Sequence, residues 1–158
     1  MHSQYVDGVT IRLLRHGDTG TVSAVFDRLS EESRRQRFSG DKPRLSEAEL
    51  GQLARVDRDH HVLVAYVDGD PLPAGIARLV RRGRTAEVVF VVADQRQRRR
   101  IESALAEVLA ADARAAGIVE LHATVTSWNR PAVSLLSRTT RRLRPSWAGG
   151  EHAQLVSE

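Results

Sequence analysis

The stretch from Thr85 to Thr126 most constrains what this chain can fold into. It joins an unbroken apolar run, a long amphipathic segment and a second β-rich run. Thr85–Val92 (TAEVVFVV) has the length and content of a central strand buried on both faces. Ile101, Ala104, Leu105, Val108 and Leu109 then recur at helical spacing, extended by Ala115 and Ala116, and Gly117 supplies a C-terminal stop. Ile118–Thr126 (IVELHATVT) returns to strand character. Strand, helix and strand in this order imply a right-handed crossover between two parallel strands.

The rest of the chain is read around that unit. Val9–Arg15 suits a first strand, and Asp18 or Thr19 caps a helix whose apolar face is Val22, Val25, Phe26 and Leu29. Ser30-Glu31-Glu32-Ser33 reads as the start of a second helix reaching Phe38, and Gly40–Pro43 as a turn. Ser46 and Glu49 have capping-box spacing at the head of a third helix. His61–Val67 and Ala74–Arg81, with turns at Asp68–Pro71 and Arg82–Arg84, complete an antiparallel meander with Thr85–Val92. Beyond the crossover unit, Pro131–Ser137 suits a short helix capped by Asn129, and Leu143–Trp147 and Ala153–Val156 suit short strands. The expectation is one domain over residues 1–158, α/β of the α+β type. Its mixed, mostly antiparallel sheet of about six or seven strands would be flanked by helices.

Composition removes several function classes. Apolar residues are 41% and charged residues 28% of 158, an ordinary globular balance. No apolar run approaches the ~20 residues of a membrane span. The opening Met1-His2-Ser3-Gln4 has no signal-peptide core, so a cytoplasmic location is expected. The chain contains no cysteine, which excludes disulfides, thiolate catalysis and cysteine-based zinc sites. All but one of the 24 basic residues are Arg, in clusters such as Arg96–Arg100 and Arg138–Arg144. Acidic residues interleave them, and aromatics are only 4%, too few for the stacking platform of a single-strand binder. Nucleic acid and membrane are therefore not the expected partners. Adjacent His60 and His61 cannot share a strand face, His122 reads as a structural histidine, and no metal is expected.

The segments AEVVFVVAD (Ala86–Asp94), ADQRQRRRIESAL (Ala93–Leu105) and NRPAVSLL (Asn129–Leu136) resemble the fourth strand, acyl-CoA loop and later helix of the GNAT superfamily of N-acyltransferases. RLSEESRRQRF (Arg28–Phe38) also resembles the N-terminal helices of bacterial protein-lysine acetyltransferases. The resemblance implies an acyl-CoA co-substrate, with acetyl-CoA the first choice. The acceptor would be a primary amine of a small molecule or of a protein lysine, and a homodimer would be compatible.

The family's phosphate loop works because successive backbone N–H groups at a helix N-terminus bind the pyrophosphate and small residues let it approach. Carried onto this chain, the loop covers Gln97, Arg98, Arg99, Arg100, Ile101, Glu102 and Ser103, and Asn129 joins the cofactor set. The family's small positions fall on Arg100 and Glu102. The expectation is that the Arg98–Arg100 guanidinium groups take over some amide contacts and that Glu102 places a negative charge beside the phosphate. Val91 and Val92 would be the backbone rail for the pantetheine arm. Glu87, a carboxylate in a mostly apolar strand, is the expected base for the amine; the alternative is an outward-facing Glu paired with Arg84. The family's tyrosine acid falls at Leu136, or at its neighbour Ser137, which is the candidate proton donor to the thiolate. The competing reading is a non-catalytic GNAT-like binding or regulatory module with weakened CoA binding.

Overall fold

The computed structural model describes residues 3–36, 45–125 and 142–147. The expected helix Pro131–Ser137, the strand Ala153–Val156, the turn at Gly40–Pro43, and with them Asn129 and Ser137, lie outside the described residues.

Seven strands form one sheet in chain order: β1 (Ser3–Val6), β2 (Val9–Leu13), β3 (His60–Val67), β4 (Gly75–Arg82), β5 (Thr85–Val92), β6 (Glu120–Val125) and β7 (Arg142–Trp147). The first four junctions are antiparallel. The β5–β6 and β6–β7 junctions are parallel, as the crossover required. Strand β1 is an addition to the sequence reading. Asp7 (φ 49°) and Gly8 (φ 78°) both take the left-handed conformation of a two-residue hairpin turn, and their Asp-Gly dipeptide was the available signal.

Helix α1 (Thr19–Gln36) is a single element, which corrects the expected break at Ser30. Asp18 caps it by accepting from the Thr21 N–H (3.1 Å) and hydroxyl (2.6 Å). Ser30 and the two glutamates carry start-like chemistry, yet neither removes a backbone donor as proline would, so the helix continues through them. Helix α2 (Glu47–Leu53) begins with the expected capping box: Ser46 and Glu49 each accept the other's backbone N–H. Helix α3 (Arg98–Ala115) follows a 3-10 turn at Gln95–Gln97.

Strand alternation sorts the core into two layers. Val9, Ile11, Leu63, Ala77, Leu79, Val88, Phe90 and Leu121 face α3, where Ile101, Leu105, Val108 and Leu109 cover them. On the other face Val62, Val64 and Ile76 pack with Leu14, Val22, Val25 and Ala54 around α1 and α2. Each large side chain withdrawn from water contributes about 1.5–3 kcal/mol, so the two-sided burial of β3 and β4 makes them the centre of the fold. Gly75 lets α3 start close to the sheet: a Cβ there would lie 3.0 Å from Ile101 Cγ2 and 3.1 Å from the Val91 carbonyl oxygen. Among the described residues no helix is long and apolar enough to cross a membrane.

Candidate active site

The site grows from the parallel β5–β6 junction. Register pairs run from Thr85 opposite Glu120 to Val89 opposite Thr124, while β5 continues to Val92. Phe90–Val92 therefore extend past the last β6 register partner among the described residues. Val92 is already partly occupied, because its carbonyl accepts the Gln95 Nε2 donor at 2.7 Å. Val91 packs with the second core cluster.

Glu87 projects from the face opposite α3, since its neighbours Ala86 and Val88 point into the core under that helix. It is exposed, with exposed Val89 beside it on the same face. The outward, exposed placement is that of the structural alternative, although no ion pair with Arg84 forms among the described residues. Across the junction its register partner is His122, which is half-buried and lies 3.3 Å (Nε2 to Oε2) from Glu120. Leu121 and Ala123 take the core positions on β6, leaving His122 on the opposite face.

The phosphate loop is held by Asp94. Its carboxylate accepts from the Arg96 N–H (3.2 Å) and Gln97 Nε2 (3.2 Å) and pairs with Arg28 (3.6 Å). Arg28 also bridges to Asp70 at 2.9 Å, tying α1 to both loops at this end of the sheet. Gln97 occupies the N-cap of α3 with no side-chain capping bond to a helix N–H, its Oε1 accepting instead from Arg100, and the first turn has no acidic residue. The N-cap side chain thus leaves the positive end of the helix dipole without a capping bond of its own.

Two expected roles in this loop are corrected. Glu102 is fully buried, one turn into the helix, and its carboxylate is engaged in an interaction within the protein. It is not an exposed charge beside the phosphate, because helical phase turns position 102 inward with Ala106 and Leu109. Arg100 is likewise committed: its Nε donates to the Asp7 carbonyl at 2.7 Å and its Nη1 to the Gln97 side chain. Ile101 is fully buried against Gly75, so its side chain serves packing. Arg99 is exposed, and Arg98 and Ser103 are half-buried. Arg99, Arg100 and Ser103 line a cavity of about 370 Å³ between α3 and the β1–β2 turn.

The other histidines among the described residues make contacts within the fold. His60 Nδ1 lies 2.8 Å from Asp57, His61 Nε2 lies 2.8 Å from Asp112 on α3, and His16 Nδ1 accepts the Val56 N–H at 3.0 Å. Among the described residues no group of three His, Asp or Glu is placed to hold a metal.

The sequence model of the acetyltransferase (GNAT) family matches residues 25–139, well over half of the chain. The chain belongs to the GNAT acetyltransferase family. The GNAT domain of S. lividans PAT is 25% identical, with a TM-score of 0.64 over 94% of this chain and 88% of that one. A cAMP-binding acyltransferase from Mycobacterium smegmatis is 29% identical at a TM-score of 0.52; the match covers 86% of this chain but only 42% of that protein. The PaiA N-acetyltransferase of Thermoplasma acidophilum, solved with coenzyme A, shares the fold at 18% identity and a TM-score of 0.54 over 82% and 87% of the two chains. No curated protein matches the sequence. The order β5, α3 and β6, with the two strands parallel, agrees with the strand–helix–strand order on which the sequence resemblance rested.

Proposed function

We propose that this chain is an acyl-CoA-dependent N-acyltransferase that joins an acyl group, acetyl by first choice, to a primary amine of a small molecule or a protein lysine. The observation that carries the reading is β5 running past its described β6 partners beside an α3 whose N-cap residue makes no side-chain capping bond, with Glu87 exposed on the adjoining face.

The residues fit such a co-substrate in chemical type. The leading amides of α3 would take the pyrophosphate, with Arg98 and Arg99 as neighbouring cations. The β5 backbone at Val91 and Val92 would receive the pantetheine arm, the Val92 carbonyl exchanging its Gln95 donor for a ligand amide. When bound, acyl-CoA supplies the activated thioester. Glu87 accepts the proton of the amine as its nitrogen joins the thioester carbonyl carbon. The C–S bond breaks, and the departing thiolate takes a proton from Ser137 or water. The chain has no cysteine for an acyl-enzyme, so attack is direct.

The second reading, a GNAT-like module with weakened CoA binding, is favoured by Arg100, which stands where the family has a small residue. Calorimetric titration with acetyl-CoA, paired with thiol-release assays over a panel of primary amines, separates the two. Micromolar-range binding with amine-dependent thiol release supports the enzyme. Binding without release from any acceptor supports the module, and the absence of binding refutes the cofactor site altogether.

A further inference from the structure

The face that carries Glu87 also carries Arg78. It lies on β4 directly opposite Val89, making it a diagonal neighbour of Glu87, a relationship that spans about 7–8 Å in an antiparallel pair. Exposed Val89 is the floor between them. Arg78 is half-buried, and its guanidinium is incompletely used. One Nη donates to the Gln52 carbonyl at the end of α2 (3.3 Å), while Nε is buried with no partner. No carboxylate pairs with it among the described residues. Burial pushes its pKa down, the mark of a cation without compensating charge. An under-partnered buried cation is costly, and a neutral carbonyl offsets only part of that cost. Elsewhere on this face the described strand charges include exposed Arg82, the other diagonal neighbour of Glu87, Arg12 on β2, and Glu120 beside His122.

We infer that Arg78 is the carboxylate-binding position of the acceptor subsite, and that the acceptor is a small amine carrying its own carboxylate, of the amino-acid type. This deepens the acyltransferase reading and rests on it. The acceptor carboxylate pairs with the Arg78 guanidinium, its carbon chain lies over Val89, and its amine is directed at Glu87. Arginine suits this task because its planar fork matches a carboxylate. The same cation disfavours polyamines and other acceptors without a negative charge. During transfer the amine nitrogen forms the new C–N bond, Glu87 takes the proton, and the thioester C–S bond breaks to release CoA.

The test compares acceptors in matched pairs: glycine, aspartate and glutamate against their carboxamides, and a short acidic peptide as the macromolecular source. For the wild type, kcat/KM for the acids should exceed that for the amides by about 10- to 100-fold, the scale of one charged hydrogen-bonded contact. R78Q should abolish that preference, the loss of kcat/KM on the acids exceeding any loss on the amides by the same factor. R78K should restore part of it. Equal losses on acids and amides, or no acid preference in the wild type, would overturn the proposal and leave Arg78 as a strut for α2. A preference for the acidic peptide over every free acid would overturn the small-molecule assignment. Thermal shift by the acids and amides without CoA is read in parallel. An acid-dependent rise in wild-type Tm that R78Q loses supports the subsite even if no transfer is detected, and a missing rise in that case refutes it.

Discussion

Arg100 donates from Nε to the carbonyl oxygen of Asp7, 93 residues earlier in the chain, and so fastens the first turn of α3 to the β1–β2 hairpin. The contact is tight: a Cβ on Gly8 would lie 2.0 Å from an Arg100 terminal nitrogen. R100A should therefore lower Tm by a few degrees, corresponding to about 1 kcal/mol for a partly exposed charged hydrogen bond. G8A should cost more, because Gly8 sits at φ 78° and its new methyl meets Arg100. In the R100A background the clash is gone but the backbone strain remains. A double-mutant cycle by chemical denaturation should give a coupling of about 0.5 kcal/mol or more. Strict additivity would show that Arg100 leaves the hairpin in solution.

Glu102 supplies a second prediction. Since its carboxylate is fully buried and engaged, E102A should lower stability by about 1–3 kcal/mol. It should not strengthen acetyl-CoA binding, contrary to what an exposed charge in the phosphate loop would require. Denaturation midpoints together with calorimetry at two ionic strengths read both quantities. A several-fold rise in affinity that fades at high salt would restore Glu102 to the phosphate site.

Glu87 bears on the chemistry. E87Q keeps the side-chain shape but removes the proton acceptor, so turnover should fall by ~10²–10⁴-fold with little change in the acetyl-CoA dissociation constant. Rates measured from pH 6 to 9 check this. A variant that keeps most of its turnover across that range would move the base elsewhere, with His122, its register partner, the first alternative.

Asp57 gives a pH prediction with a definite sign. Its carboxylate accepts from the His60 ring (2.8 Å), the Asp59 and His60 N–H groups (2.9 and 3.0 Å) and Arg55 (2.7 Å), which together hold its pKa well below the ordinary carboxylate range. A pKa depressed in the folded state stabilises above the unfolded value of 3.8 and is lost as pH falls below it. D57N should consequently lower Tm at pH 7, and the gap to wild type should narrow as pH drops through 4 toward 2. A gap independent of pH would assign the loss to packing rather than charge.

The sequence by itself determined the elements whose signals are local. The apolar run of β5, the stripe of α3 and the return strand β6 specified a parallel crossover, and the Ser46–Glu49 box and Asp18 cap follow from chemistry within one turn. Glu87 was read as the candidate base because it is a carboxylate in an apolar strand where the family resemblance has one, and its exposure on the face away from α3 came from the structure. What the sequence left open depends on contacts between distant segments. Helical phase alone did not show that Glu102 turns inward, because burial is decided by the sheet that α3 lands on. Nor could it show that Arg100 is spent on Asp7 rather than on phosphate, since nothing near residue 100 records where the β1–β2 turn will lie. Arg78 looked like one of many basic residues. Only the closing of α2 over the sheet buries its Nε and leaves a cation beside Glu87, because desolvation is a property of the packed whole and not of any short segment.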